Sequence, residues 1–318
     1  MEKERSAAKP VNSISVVMAT YNGEKYILEQ LVSLYRQTRP ADEVIICDDR
    51  STDSTAEMVE EFIRKYSLDN WYLHINENNI GFRKNFLNGI RRAGGDIIFL
   101  CDQDDVWDLN KIRIMSEVMS ERNDIALLAC GYTVFRGNVP AEASKEQDAA
   151  GAIHRVSLPD NILEVPYPGC TYCLRKSFFK KCEPYWLESC PHDAVLWRCA
   201  VLDGTAFTYD RPLIFWRKHE ESAWTKETEE FGLKGEIKWR SEEEKELKKL
   251  ASFVEEAVTE NKTRKVRLVA DNLSWVQLRQ RLYTERSVLS GLKLISHMKR
   301  YGGLKACLRD WKVTFLSK

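Results

Sequence analysis

The sequence predicts an α/β protein: a mostly parallel sheet flanked by helices, followed by a helical C-terminal extension. Three observations carry that expectation. Apolar, β-branched-rich runs alternate with helix-patterned stretches between residues 14 and 130. Acidic residues cluster directly after two of those runs. After about Thr225 the text changes to long, charged helical segments.

The elements follow in order. Residues 14–19 (ISVVMA) form a continuous apolar run, as expected for a strand covered on both faces. A turn at Tyr21-Asn22-Gly23 leads to a helix with Ile27, Leu28, Leu31 and Leu34 at helical spacing, ended by Pro40. Residues 43–47 (EVIIC) are the second strand, and 53–66 a helix with Met58, Val59, Phe62 and Ile63 on one side. Strands are expected at 71–75, 96–101 and 125–130, and helices at 82–93 and 109–121. Residues 137–165 read as a longer connection. A helix near 193–202 and a strand pair within 206–217 follow, then a charged helix over 242–260 with Leu247, Leu250, Val254, Ala257 and Val258 on one face. The expected organisation is a flexible N-terminus (1–12), a catalytic domain (13–225, divided at 130/131) and the extension (226–318).

Composition narrows the partners. Of 318 residues 43% are hydrophobic and 30% charged, enough for a sizeable core. Net charge is zero, but residues 286–318 hold eight Lys/Arg against one acid, Asp310, and that basic tail calls for an anionic neighbour. The rest shows no nucleic-acid-like excess. The polar first dozen residues do not read as a signal peptide, and no run approaches the roughly 20 apolar residues of a membrane span. Nine scattered cysteines, three of them inside strand-like runs (Cys47, Cys101, Cys130), read as reduced thiols of a cytoplasmic protein. Cys170, Cys173, Cys182 and Cys190, with His192 beyond, allow a zinc site. Only one pair has the close spacing such sites use, which favours ordinary packing.

The acids at strand ends carry the chemistry. In open α/β sheets ligands collect at the carboxyl ends of strands. Asp48 and Asp49 end the second strand, where a carboxylate can accept from a base or ribose; Asp53 suits the cap of the next helix. Asp102, Asp104 and Asp105 follow the strand at 96–101 in FLCDQDDVW. Carboxylates packed this closely repel unless a cation or hydrogen bonds compensate. A hard divalent ion shared with diphosphate oxygens does so.

These pieces resemble the family 2 glycosyltransferases of GT-A fold. They are Ser15-Val16-Val17-Met18-Ala19-Thr20-Tyr21-Asn22, Asp48-Asp49-Arg50-Ser51-Thr52-Asp53, Asn79-Ile80-Gly81 and Asp102-Gln103-Asp104-Asp105-Val106-Trp107, in the family's order. The resemblance implies a nucleoside diphosphate sugar donor and an Mn²⁺ or Mg²⁺ cofactor. It implies that Ala19 and Tyr21 line the base pocket, that Asp48 or preferably Asp49 contacts base or ribose, and that Gly81 and Asn85 belong to the loop beside the nucleotide. Asp102 and Asp104 match the metal-diphosphate motif, and Asp105 adjoins it. Pro168-Gly169-Cys170-Thr171 resembles the turn before an acceptor-side helix. Pro191-His192-Asp193 resembles the His-Asp form of rhamnosyltransferase-like members, which makes Asp193 the candidate base of an inverting transfer and dTDP-rhamnose or a UDP-hexose the favoured donor. Trp216-Arg217-Lys218-His219 resembles a segment in which His219 completes the metal shell and Arg217 faces the diphosphate, although Glu220-Glu221 departs from the family text.

The implied acceptor is a surface polysaccharide or lipid-linked glycan. Residues 287–318 mix apolar and basic positions, which suits the inner face of the cytoplasmic membrane, packing on the catalytic domain, or a homodimer contact. Other classes fit less well. Thr20-Tyr21-Asn22-Gly23 is not the Gly-rich phosphate turn of a dehydrogenase. A receiver-type signalling domain is much shorter. A catalytically silent sugar-binding relative is expected to lose the metal acids or Asp193, and all are present.

Overall fold

The computed structural model describes residues 12–140, 151–219 and 232–316. The first eleven residues, Glu220, Glu221 and the expected boundary at 225/226 lie outside them. Among the described residues nine strands form one sheet. Its first half comprises β1 (Ile14–Thr20), β2 (Glu43–Asp48), β3 (Trp71–Ile75) and β4 (Ile97–Asp102), ordered β3-β2-β1-β4 and all parallel. The intervening helices are α1 (Ile27–Tyr35), α2 (Thr55–Tyr66) and α3 (Phe82–Arg92). Because these strands are parallel, β1, β2 and β4 all end on one edge, at Thr20, Asp48 and Asp102. Register pairs Ala19 with Cys47 on one side and Asp102 on the other.

Both faces of this half are covered, which explains the unbroken apolar runs. Ile14, Val16 and Met18 of β1 point to one core, with Leu31 of α1 and Val59 of α2. Val17, between them, points to the opposite core, with Phe86 and Ile90 of α3.

Beyond β4 the sheet turns mixed. The later elements are β5 (Val106–Trp107), α4 (Lys111–Glu121), β6 (Leu127–Phe135), β7 (Ile153–Arg155), β8 (Tyr172–Arg175), α5 (Lys176–Cys182), α6 (His192–Asp203) and β9 (Ala206–Arg217). β8 runs antiparallel between β4 and β6, and β6 pairs in parallel with β9. The expected strand pair at 206–217 is one twelve-residue strand, β9. Its outer edge takes β7 near Thr208 and β5 near Ile214, both antiparallel. Register shifts around Gly131 bend the β6–β9 ladder, and a Cβ on Gly131 would meet the Arg211 backbone at 2.9 Å.

The extension consists of α7 (Leu233–Ala257), α8 (Lys262–Glu285), α9 (Val288–Lys293), a 3₁₀ turn (Leu294–Arg300) and α10 (Leu304–Leu316). It is not a separate core. Leu247 and Phe253 of α7 and Val269, Trp275 and Tyr283 of α8 share one apolar cluster with Leu196 and Val201 of α6 and with Val17. α6 is therefore buried nearly all round, sandwiched between sheet and extension, as its evenly apolar sequence requires. Gly204, in left-handed conformation, ends it. Polar ties accompany the packing. Arg198 of α6 is ion-paired with Glu246 of α7. Asn272 of α8 donates to the Asp160 carbonyl at 3.1 Å and accepts from the Ile162 amide at 3.3 Å. No helix among the described residues is long and apolar enough to cross a membrane.

Candidate functional site

The edge where β1, β2 and β4 end gathers the predicted residues into two groups. The first lies around β1 and β2. Tyr21 is 45% exposed, and its backbone is pinned at both ends by Gln103, which accepts from the Tyr21 amide at 2.9 Å and donates to its carbonyl at 3.0 Å. Ala19 is half-buried beside Asp102. Asp48 and Asp49, expected to face the ligand, are both turned inward. Asp48 accepts from the Thr20 hydroxyl (2.8 Å), the Ser51 amide (2.8 Å) and the Ser51 hydroxyl (2.6 Å), closing the turn after β2. Asp49 accepts from Asn76 (2.9 Å) and from the amides of Ile80 and Gly81 (both 2.8 Å). Asn85 is likewise buried, donating to the Cys47 carbonyl at 2.6 Å and accepting from Asn76 at 2.9 Å. Asp49 and Asn85 thereby hold the loop 76–81 against the end of β2. Gly81 (φ 85°) opens α3 in a conformation that disfavours other residues.

The second group is acidic. Burial and the neighbouring Asp104 push the Asp102 carboxyl up to about 7. Burial, with Asp104 and Asp102 nearby, holds the Asp105 carboxyl well above its ordinary range. Asp105 accepts from the Arg217 amide at 2.9 Å, but its second oxygen is buried without a partner. Asp104 Oδ2 lies 2.7 Å from His219 Nε2. Ionising these neighbouring carboxyls together is thus costly with the protein's own groups alone. Carboxylate oxygens and an imidazole nitrogen are donors that a divalent cation accepts. Cys170 Sγ also lies within 4.8 Å of the Asp102 and Asp105 oxygens. Burial raises that thiol far above its usual range, and a soft sulfur is a poor match for a hard divalent cation. Cys173, Cys182, Cys190 and His192 join no such group among the described residues, and all nine cysteines are free and buried.

Arg217 is turned into the protein. It is 4% exposed, and its guanidinium is occupied within the protein. It donates to the Asp104 carbonyl at 2.8 Å, to the Gly137 carbonyl and to the Glu29 carboxylate, and lies 4.4 Å from the ring centroids of both Tyr26 and Phe135. It clamps the acidic turn. Tyr26 also packs on His219, at 4.9 Å between ring centroids.

Lys111, at the start of α4, was not singled out by the sequence. It is fully buried, with Nζ donating to the Cys170 carbonyl at 2.6 Å and lying 3.7 Å from the Trp107 ring centroid. Its charge draws the Asp102 carboxyl down, partly offsetting the acids.

Asp193 occupies the first turn of α6, half-buried, with Oδ1 accepting from the Ala194 amide at 2.8 Å. The second oxygen is left for another donor. It is close enough to Asp102 for its charge to help raise that carboxyl. Two contacts fix it there. His192 stacks on Phe86 of α3 with centroids 3.9 Å apart, and Gly169 packs so closely that a Cβ would meet His192 Nε2 at 2.4 Å and the Asp193 Cβ at 3.1 Å. The Asp193 carboxylate thus lies near enough to the acidic turn for its charge to act there, and the exposed Tyr21 is tied to the same turn through Gln103.

Known proteins resemble this chain in sequence and in fold. The family model "Glycosyl transferase family 2" matches residues 15–180. RfbG of Shigella flexneri, a dTDP-rhamnosyl transferase, is 30% identical over 218 residues, covering 64% of this chain and 72% of RfbG. WfgD of Escherichia coli, a UDP-Glc:α-D-GlcNAc-diphosphoundecaprenol β-1,3-glucosyltransferase, is 30% identical over 125 residues, 39% of this chain and 47% of WfgD. The crystal structure of Staphylococcus aureus TarS 1-349 with UDP-GlcNAc matches with a TM-score of 0.60 at 20% identity, over 95% of this chain and 81% of that one. At that identity the likeness establishes the fold, GT-A.

Proposed function

This chain belongs to glycosyl transferase family 2 and is a glycosyltransferase using a nucleotide sugar, and on that premise we propose an inverting transfer with Asp193 as general base. The donor proposed is a nucleoside diphosphate sugar, dTDP-rhamnose first and a UDP-hexose second. RfbG, matched over most of its length, supports the first choice. The proposed acceptor is a hydroxyl of a growing surface polysaccharide or lipid-linked glycan, a reading supported by the diphosphoundecaprenol acceptor in the name of WfgD. Nine buried free thiols suit a cytoplasmic setting.

The observation that carries the reading is the acidic turn 102–105, clamped by Arg217 and near enough to Asp193 for that carboxylate's charge to act on Asp102. In it Asp102, Asp104 and His219 are the residues that would hold a divalent cation, Mn²⁺ or Mg²⁺, with Asp105 adjoining. When bound, such a cation neutralises charge on a departing diphosphate. The chain's own residues do the rest. Tyr21, fixed by Gln103, offers a ring face for the base. Asp193 accepts the proton of the attacking hydroxyl on its unoccupied oxygen. Phe86 and Gly169 hold that carboxylate in place.

The test is a panel of nucleotide sugars assayed for donor hydrolysis and transfer, with Asp193→Asn alongside. The variant is expected to bind donor almost as the parent does while transfer falls ~100-fold or more. Equal loss of donor affinity and turnover rules out the role of base.

A further inference from the structure

The C-terminal end carries an apolar surface that the donor site does not use. Val288, Leu292 and Ile295 recur at helical spacing along α9 and the turn after it, and Leu304, Leu308 and Phe315 along α10. All six are between 38% and 64% exposed. The opposite side of α10 is well anchored. Cys307, Asp310 and Thr314 are buried, and Asp310 is ion-paired with Arg279 of α8 at 2.7 Å. The two stripes adjoin, because Gly291 lets the Trp311 ring approach so closely that a Cβ would meet it at 2.3 Å.

Basic residues border this surface. Lys305 and Lys312 lie roughly 90° around α10 from the stripe, and Lys293 and Lys299 flank the other. All four are exposed, and none has a carboxylate partner among the described residues. Exposed apolar stripes rimmed by lysines, on helices too short to span a bilayer, are the pattern of a segment lying in the membrane–water interface. A symmetric contact between two copies fits less well, since it lays one lysine rim against another.

We infer that the face formed by α9 and α10 docks on an anionic lipid surface, with the six apolar side chains at the acyl boundary and the lysines among the headgroups. This inference is independent of which sugar is transferred.

The experiment is co-sedimentation of the full chain with vesicles of phosphatidylcholine alone or mixed with phosphatidylglycerol. Binding is expected to be at least tenfold tighter to the anionic vesicles and to weaken with salt. Lys305→Gln and Lys312→Gln should each weaken it roughly fivefold, and Leu304→Ser and Leu308→Ser each roughly tenfold. Because these side chains are exposed, nucleotide binding and the unfolding midpoint should not change, which keeps a lost fold distinguishable from a lost surface. Equal partition to both vesicle types, or no partition by folded protein, overturns the inference. So does a concentration-dependent dimer that Leu308→Glu splits.

Discussion

Asp104 and His219 are 115 positions apart in the chain, and their Oδ2 and Nε2 atoms lie 2.7 Å apart. The contact joins the turn after β4 to the end of β9 and closes the acidic site. If these two side chains share a cation, His219→Ala should weaken metal-dependent nucleotide binding by about tenfold or more, ~1.4 kcal/mol. Binding in EDTA should be unchanged. Calorimetry with and without Mn²⁺ reads the difference.

Arg217 tests whether the turn is clamped from behind. Arg217→Met leaves the Asp104 and Gly137 carbonyls without their donor and removes the cation between Tyr26 and Phe135. A loss of about 3 kcal/mol is expected, seen as a lower denaturant midpoint. A diphosphate ligand would instead show weaker donor binding at unchanged stability.

Gly169 tests the placement of the base. Gly169→Ala puts a methyl group against His192 and the Asp193 Cβ. Displacing the carboxylate by a fraction of an ångström to an ångström should lower transfer ~10- to 100-fold with donor affinity nearly kept. Steady-state kinetics beside nucleotide titration separates the two.

Asp310 gives a pH dependence away from the site. Burial works against its charge, but the hydrogen bonds and charge of Arg279, with the Tyr283 and Tyr301 hydroxyls, prevail and hold its carboxyl below the ordinary range. A group depressed in the folded state contributes stability that is present above the ordinary carboxylate pKa, about 3.9. That stability is lost as pH falls through the lower folded value. Asp310→Asn should therefore cost about 3–5 kcal/mol at neutral pH and flatten the acid side of the stability profile. Urea unfolding from pH 7 down to pH 3 measures both.

What the sequence made legible follows from its physics. β1, β2 and β4 are buried on both faces, so they appear as plain apolar runs, and Asp102, Asp104 and Asp105 stand out at the end of one. β9 reads as two strands in the sequence because Asp210-Arg211-Pro212 has the look of a turn; the strand continues through it as the sheet bends. Asp48 and Asp49 show why an acid at a strand end is ambiguous. Ligands and backbone amides present it with the same donors, and here loop amides and hydroxyls take them. Arg217 and Lys111 could not be placed from the text, because their partners (Glu29, Gly137, Trp107, Cys170) come from distant elements.

The most direct test of the central claim, that the turn 102–105 is a metal-dependent nucleotide-sugar site, is calorimetric titration of dTDP and UDP into the protein and into Asp104→Ala, each with Mn²⁺ or EDTA. The account predicts binding by the parent that needs the metal, prefers one base, and disappears in the variant while the fold persists. Nucleotide binding of equal strength in Asp104→Ala, or binding indifferent to EDTA, would contradict it.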